Sequence, residues 1–172
     1  MDAAVERNFR EFVEARSQAL MRMAFLLTGG DQHAAEDLVQ TALAKASSRW
    51  RSIDNPESYV RQVMYRQQIS WWRLKWPRHE TNVAVLPEQV REDGTSAVDL
   101  KMAVRGAMAR LTPRQRTVLV LRFFEDLPEA EVARLLDCSV GTVRSTTHRS
   151  LARLRAVAPE LAELETAKEA RQ

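Results

Sequence analysis

The feature that most constrains the fold is a pair of helical patterns separated by three residues near the carboxyl end. The first pattern is EAEVARLL (129–136), the separating residues are DCS (137–139), and the second pattern is VGTVRSTTHRSLARLR (140–155). The hydroxyl of Ser139 is well placed to cap the second helix. A short helix, a tight turn and a longer helix form the outline of a helix-turn-helix.

The rest of the chain carries helical patterns as well. Only 5 Gly and 6 Pro occur in 172 residues, which argues against tight β-hairpins, and 45% hydrophobic with 28% charged residues is a folded, globular composition. Helix start signals stand at Asp31, at Asn55 before Pro56, and at the capping box from Thr112 to Gln115. The helix after Thr112 is predicted to give the core Val118, Leu119, Leu121 and Phe123. We therefore predict an all-α protein.

A break in periodicity divides the chain into two small helical domains. Residues 79–100 include LPEQVREDGTS, a mixture of Pro, Gly, Ser and acidic residues that is typical of a flexible linker. At about 3.3 Å per residue this linker could reach ~70 Å, the length of two turns of B-DNA. The predicted domains are 1–78 and 101–157, followed by a tail at 158–172 of unknown purpose.

Basic residues are concentrated in the two domains. Residues 1–78 hold 12 basic and 9 acidic residues, residues 101–157 hold 11 and 5, and the linker between them holds 1 and 5. No acidic residue occurs from Cys138 to Pro159, although a solvated helix normally mixes both signs of charge. Clustered positive charge is the usual electrostatic mark of a nucleic-acid-binding protein.

The second helix of the helix-turn-helix is the candidate DNA-reading element. Helical spacing directs one set of its residues to the core: Val140, Val143, Thr147, Leu151 and Leu154. The remaining face carries the candidate DNA contacts: Ser139, Thr142, Arg144, Ser145, Thr146, His148, Arg149 and Arg153. Arginine can hold guanine O6 and N7 with two hydrogen bonds, and hydroxyls can bond bases or phosphates. The alternative is a solvated basic helix that closes a small bundle.

Other classes of protein lack their required residues here. His33, His79 and His148 are scattered, no Gly-rich phosphate loop appears, and the single cysteine, Cys138, has no second thiol with which to bind a metal or form a disulfide. We therefore expect no catalytic residue, no metal and no cofactor. Charged residues interrupt the apolar runs, so we expect no membrane insertion and a cytoplasmic protein.

Taken together, both domains resemble a known family. The matching stretches are AEDLVQTALAKASSRW (35–50), DNPESYVRQVM (54–64), SWWRLKW (70–76) and the whole of 111–155. In this order they resemble a small sigma factor of bacterial RNA polymerase, of the extracytoplasmic-function (ECF) type that keeps only regions two and four. The sequence of these stretches is most similar to that of the actinobacterial sigma-E group. The resemblance spans almost everything from Phe9 to Arg155.

The resemblance implies a role for each part of the chain. It assigns region two, a helical bundle, to 1–78 and region four, the helix-turn-helix that reads the −35 element, to 101–157. Docking on the clamp coiled coil of the polymerase largest subunit is implied for Glu36, Asp37, Gln40 and Leu43. Opening and reading of the −10 element is implied for Arg61, Arg66, Gln67, Trp71 and Arg73. The implied partners are core RNA polymerase and promoter DNA. The residues neither require nor exclude an anti-sigma factor as a third partner.

The aromatic residues among the −10 candidates have two interpretations. Tyr65, Trp71, Trp72 and Trp76 lie between basic residues, a mixture suited to phosphate contact and to stacking on unpaired bases. The same rings can instead belong to the core, and the core is favoured for Trp72 and Trp76, which lie four residues apart on one stripe with Ile69. The chain departs from the family pattern at Arg66, where Asn is common, and at Asp137, where a small residue or Gly is common.

A conventional regulator is the alternative function. In that case the helix-turn-helix would be the output domain, and the first domain would sense a signal or form a dimer. A regulator of this kind binds duplex DNA without polymerase, usually as a symmetric dimer on paired half-sites. A sigma factor instead forms a one-to-one complex with core enzyme and opens the promoter afterwards.

Overall fold

The computed structural model describes the backbone of residues 2–75 and 97–159 and the side chains of 2–71 and 102–159. Within these ranges the α-helices are α1 (Ala3–Leu27), α2 (Gln32–Ser47), α3 (Pro56–Lys75), α4 (Ala97–Ala109), α5 (Pro113–Leu119), α6 (Glu129–Leu136) and α7 (Val140–Val157). Every regular element in these ranges is helical, which confirms the predicted fold class. Most of the predicted linker and nearly all of the predicted tail lie outside the described residues.

The predicted helix starts are present as side-chain caps. The carboxylate of Asp31 accepts a hydrogen bond from a main-chain N–H of the first turn of α2 at 3.0 Å. The Asn55 side chain does the same for α3 at 3.0 Å. At α5 the capping box is complete, because Gln115 N donates to Thr112 Oγ1 at 3.2 Å and Thr112 N donates to Gln115 Oε1 at 3.0 Å. These bonds satisfy N–H groups that a helix start otherwise leaves unpaired.

The amino-terminal unit, α1 to α3, is a three-helix bundle. Each of its helices packs against the other two. Its fully buried large side chains are Leu20, Met23, Leu27, Leu38, Val60 and Met64. A short 3-10 turn, Trp50–Ser52, connects α2 to α3 and places the Trp50 ring edge-on against Phe9, with ring centroids 4.9 Å apart. The turn therefore packs against the first half of α1 and closes that end of the bundle.

The carboxyl-terminal unit, α4 to α7, contains a π-helical segment, Val120–Phe124, directly after α5. A π-helical turn holds more residues than an α-helical turn, so the side chains that follow shift around the helix axis. Leu121 remains buried, but Phe123 is 60% exposed and Phe124 is 50% exposed. The prediction that Phe123 belongs to the core is therefore wrong, because regular α-helical spacing does not continue through this segment.

The two units lie against each other. Helices α1 and α3 contact α5, and α3 also contacts α6. Buried apolar residues of both units form one contiguous core, in which Leu27 and Met64 of the first unit join Leu111 and Val118 of the second. The units that the sequence separates by a linker are thus docked in this structure.

Candidate nucleic-acid interface

The turn between α6 and α7 sets the direction of the last helix. Asp137 ends α6 in the left-handed conformation, with φ 51° and ψ 55°, and Cys138 N donates to Ala133 O at 3.0 Å. Glycine most often occupies such a helix end, and Asp tolerates it because its side chain is short and polar. Ser139 Oγ then accepts from Thr142 N at 3.0 Å and caps α7, as predicted.

Four of the predicted DNA contacts form an exposed surface on α7, which we call the α7 ridge: Arg144, Ser145, His148 and Arg149. Thr142 and Arg153 are half-buried beside the ridge, whereas Ser139 is exposed at the cap. Arg155 is exposed as well, two turns after His148 and so on the same side of the helix. Arg155 is not among the predicted DNA contacts, although its spacing of seven residues from His148 indicates the same helix face.

Thr146 does not belong to this exposed surface. Its side chain is only 5% exposed, and Ser150, one turn further on, is fully buried. The Ser150 hydroxyl donates to Thr146 O at 2.6 Å, so its polar atom is satisfied inside the helix and it can be buried without a large cost. The predicted exposure of Thr146 is therefore wrong: α7 packs on both α5 and α6, and this turns the side with Val143, Thr146 and Ser150 inward.

The arginines of the α7 ridge are held by weak local contacts. Arg144 Nε lies 2.6 Å from Glu129 Oε2 of α6, in an ion pair whose arginine side chain is 69% exposed. Arg149 Nε donates to Ser145 O at 3.3 Å. An ion pair at such an exposed site contributes little to stability, so a phosphate or a base edge can replace Glu129 at small cost.

The predicted −10 contacts on α3 have different environments. Arg66 is exposed, whereas Gln67 is half-buried and accepts a hydrogen bond from Lys45 Nζ at 2.8 Å. Trp71 is half-buried and packs against the core. Tyr65 is buried, which agrees with the core interpretation of this ring. The side chains of Arg73, Trp72 and Trp76 lie outside the described residues.

Arg61 of α3 pairs with carboxylates of both units. It bonds Glu57, one helical turn earlier, at 2.6 Å, and it also pairs with Glu125 of the carboxyl-terminal unit. Partial burial alone would lower the pKa of Arg61, but the hydrogen bonds and charges of Glu125 and Glu57 outweigh it and raise the pKa. Arg61 is therefore a charged group already engaged by two anionic partners.

An open cavity of about 340 Å³ lies at the start of α3. Its lining residues are Arg49, Ser52, Ile53, Asp54, Asn55, Ser58, Tyr59 and Gln62. The lining offers one aromatic ring and several side-chain amides and hydroxyls, which can both donate and accept hydrogen bonds. The sequence predicts Asn55 only as a helix cap, and no local pattern indicates the cavity.

The residues implied for polymerase docking lie together on α2. Asp37 and Gln40 are exposed one turn apart, whereas Glu36 and Leu43 are half-buried. Glu36 accepts a hydrogen bond from Gln32 Nε2 at 2.7 Å, and Leu43 packs against the core of the bundle. The helix thus presents an acid and an amide beside an apolar edge, a surface suited to a partner helix of complementary charge.

Within residues 2–75 and 97–159, no group of His, Cys, Asp and Glu has an arrangement that could hold a metal ion. None of the helices in these ranges is both long enough and apolar enough to span a bilayer.

Comparison with known protein families gives two adjacent matches. Residues 12–78 match the model of sigma-70 region 2, and residues 101–154 match the model of sigma-70, region 4. The two matches lie on either side of the segment predicted as a linker, and each falls within one of the predicted domains.

Similar proteins give the same result over most of the chain. An RNA polymerase sigma-E factor of Streptomyces coelicolor is 39% identical over 150 residues, which cover 86% of this chain and 84% of that protein. The protein of the same name from Streptomyces antibioticus is 40% identical, with coverage of 86% and 82%. Among solved structures, the sigma factor RpoE of Bartonella quintana, in complex with the anti-sigma factor NepR, has a TM-score of 0.62 at 23% identity and covers 88% of this chain and 96% of that one. That structure supports the fold.

Proposed function

This chain belongs to the sigma-70 family as an ECF-type sigma factor, and from this premise we propose which of its surfaces bind polymerase and which bind promoter DNA. Membership of the family means that the chain directs promoter-specific initiation of transcription. We infer that its partners are core RNA polymerase and promoter DNA, that it acts in the cytoplasm, and that polymerase alone supplies the catalytic chemistry.

The α7 ridge is the proposed −35-reading surface. The observation that carries this assignment is a capped, exposed helix face with two arginines, a histidine and a serine on a helix without any acidic residue. The amino-terminal residues of a recognition helix reach base edges in the major groove, so Thr142, Arg144 and Ser145 are the proposed base contacts. Arg149, Arg153 and Arg155 lie further along, where phosphate contact is expected. Thr146 is not part of this proposed surface, because its side chain is buried.

The exposed side of α3 and the cavity at its start form the proposed −10-reading surface. Arg66 is exposed and offers a cation to the DNA backbone. The cavity beside Tyr59 is large enough for one unpaired base, and its amides and hydroxyls can bond the Watson–Crick edge of such a base. Stacking on one aromatic ring contributes ~1 to 3 kcal/mol per base, enough to help hold a melted strand. Arg61 can contribute only after it separates from Glu125.

The exposed side of α2 is the proposed docking surface for the clamp of core polymerase. Asp37 and Gln40 provide polar contacts, and the half-buried Leu43 provides an apolar edge. An acidic surface of this kind favours a basic partner helix, because complementary charge guides association and fixes its register. The basic α7 ridge, in contrast, favours a polyanion.

Reconstitution with core polymerase tests the assignment. The purified chain should comigrate with core enzyme in a one-to-one complex, and the complex should transcribe from promoters whose starts are mapped after overexpression of the chain. A conventional regulator would instead bind duplex DNA tightly without polymerase, as a symmetric dimer on paired half-sites. If the chain fails to comigrate with core enzyme and binds duplex DNA as a dimer, the proposal is wrong.

A further inference from the structure

A carboxylate of the neighbouring helix lies against the α7 ridge. Glu129 is the first residue of α6, and its Oε2 lies 2.6 Å from Arg144 Nε. The side chain of Glu129 is 30% exposed and that of Arg144 is 69% exposed. Because α7 contains no acidic residue, Arg144 is paired across the helix-turn-helix and not along its own helix. The pair therefore joins the two helices of the motif on the surface that is proposed to face DNA.

Both residues of this pair belong to helix segments that the core holds in place. Val132, three residues after Glu129, is fully buried, and so is Val143, directly before Arg144. Helices α6 and α7 pack against each other, and both valines belong to one core. The fold therefore sets the distance between the main chains of Glu129 and Arg144, and only rotation of the side chains can separate the pair.

The carboxylate uses only part of the donor capacity of Arg144. A guanidinium group has five N–H donors, one on Nε and two on each Nη. The pair with Glu129 is made by Nε, and among the described residues no hydrogen bond or ion pair holds Nη1 or Nη2. Guanine O6 and N7 accept two bonds from an arginine. A guanine can therefore bind the Nη groups while Glu129 remains on Nε.

Arg149, the other arginine of the α7 ridge, has a different partner. Its Nε donates to Ser145 O of the same helix at 3.3 Å. A main-chain carbonyl leaves the net charge of an arginine unchanged, which suits a phosphate, whereas a carboxylate offsets that charge and repels a phosphate placed beside it. The arginine nearer the start of α7, where base contacts are expected, is thus the one that has a carboxylate partner.

We propose that Glu129 is a positioning residue for Arg144: its carboxylate holds Nε, presents the Nη groups to a guanine and disfavours a phosphate in their place. Glu129 itself does not touch DNA. This inference rests on the proposed function, because it requires that the α7 ridge reads the −35 element. Ordering a flexible side chain before binding reduces the entropy that is lost on binding. The pair has this effect even though, at an exposed site, it stabilises the fold little.

Base-pair discrimination by reconstituted polymerase tests the proposal. The templates are a mapped promoter and variants in which each base pair of its −35 element is changed singly. Run-off transcription with Arg144→Ala identifies the base pair that Arg144 reads, because a change at that base pair no longer matters. At this base pair Glu129→Ala should lower discrimination about fivefold, the effect of an arginine that has to be ordered on binding. Glu129→Gln should recover part of the loss, because its amide oxygen can still accept from Nε.

Glu131→Ala is the matched control. Glu129 and Glu131 both lie in the first turn of α6, so the two variants lose the same charge at the same helix end. The partner of Glu131 is Arg134 of the same helix, at 3.4 Å. The control should therefore leave discrimination unchanged at every base pair of the −35 element. An equal loss in both variants would mean that any negative charge on α6 has this effect, and it would overturn the proposal.

Binding of the free chain to a duplex of unrelated sequence separates positioning from damage to the fold. Glu129→Ala removes a charge that repels phosphates, so its affinity for this duplex should rise about threefold, the effect of one nearby unit charge in water. Damage to the helix-turn-helix would instead weaken binding to every DNA. A loss of affinity for the unrelated duplex as large as the loss of discrimination would overturn the proposal.

A double variant shows whether Glu129 acts through Arg144. In an Arg144→Ala background, Glu129→Ala should cause no further loss of discrimination, and an additive loss would overturn the proposal. If Arg144→Ala abolishes discrimination and Glu129→Ala leaves it unchanged, only the positioning role is wrong. If Arg144→Ala leaves discrimination unchanged at every base pair of the −35 element, the proposed function of the α7 ridge is wrong, and the positioning role is wrong with it.

Discussion

Arg116 Nε donates a hydrogen bond to Leu27 O at 3.1 Å and so joins residues that are 89 positions apart in the chain. The same guanidinium bonds Met108 O and Leu111 O, and therefore it organises the second unit as well as its contact with the first. A single buried cation thus couples the stability of region four to its position on region two.

Arg116→Ala should lower the free energy of unfolding by about 2 to 4 kcal/mol, because three main-chain oxygens lose a charged donor in a buried place. Arg116→Lys should recover only part of this loss, since one ammonium group cannot reproduce the forked donors of a guanidinium. Urea unfolding followed by circular dichroism measures both. The control is Arg134→Ala, which removes only the exposed pair with Glu131. If Arg116→Ala changes stability no more than this control, Arg116 does not link the units.

Arg144→Ala should reduce transcription from promoters that depend on their −35 element by about tenfold, the value of one good arginine contact to a base. Loss of the Glu129 pair on the same side chain should cost the fold little, because that pair is exposed. Run-off transcription and comigration with core polymerase are measured together. Unchanged transcription, or an equal loss of polymerase binding, would contradict the assignment of the α7 ridge.

Thr146→Ala should alter stability and leave promoter choice unchanged. Its side chain is buried against the neighbouring helices, so removal of a methyl and a hydroxyl should lower the free energy of unfolding by roughly 1 kcal/mol. Arg149→Ala is the counterpart, because it is exposed and should reduce the slope of log binding constant against log salt by about one. A promoter-specific defect in Thr146→Ala at full stability would restore Thr146 to the DNA-contacting set.

Asp37→Ala and Gln40→Ala should weaken binding to core polymerase without weakening the contact of α7 with DNA. Both side chains are exposed on α2, so neither change should destabilise the bundle by more than about 0.5 kcal/mol. Competition with the native chain for a limited amount of core enzyme measures the effect. Full competitive strength in both variants would place the docking surface elsewhere.

Local signals in the sequence were sufficient to predict most of the helices. The caps at Asp31, Asn55 and Ser139 depend on residues three positions apart, and each is present in the structure. The rotation of α7 could not be predicted in the same way. Thr146 and Thr147 have the same side chain, but Thr146 is buried and Thr147 only half-buried. This difference depends on how α5 and α6 pack around α7.

The docking of the two units also lies beyond sequence patterns. Arg116 and Arg105 have the appearance of surface cations in the sequence, and Gly29 and Gly30 have the appearance of a helix stop. Only the fold shows that Arg116 binds Leu27 O at the end of α1 and that Arg105 binds Gly30 O in the turn that follows. The prediction for Phe123 is wrong for a related reason, because the π-helical turn from Val120 to Phe124 depends on long-range packing.

Tyr65→Phe should make the protein less sensitive to alkaline pH. Tyr65 Oη lies 3.1 Å from Met23 Sδ inside the first unit, and burial, with a smaller contribution from Glu125, raises the pKa of this phenol above its ordinary value. The raised pKa means that folding favours the neutral phenol. Below the unfolded pKa of about 10 both states hold the proton, so this residue adds no pH dependence.

Above pH 10 the unfolded chain releases the Tyr65 proton and the folded chain retains it, so the free energy of unfolding should fall by up to about 1.4 kcal/mol per pH unit. Tyr65→Phe lacks this contribution, whereas Arg116, whose pKa is lowered to about 10, contributes to both proteins alike. Urea unfolding of the two proteins between pH 8 and pH 11 measures the difference. Their stabilities should keep a constant difference up to pH 10 and then change in favour of the variant. Parallel curves throughout would mean that the phenol is accessible to solvent and that Tyr65 is not enclosed beside Arg61 and Glu125.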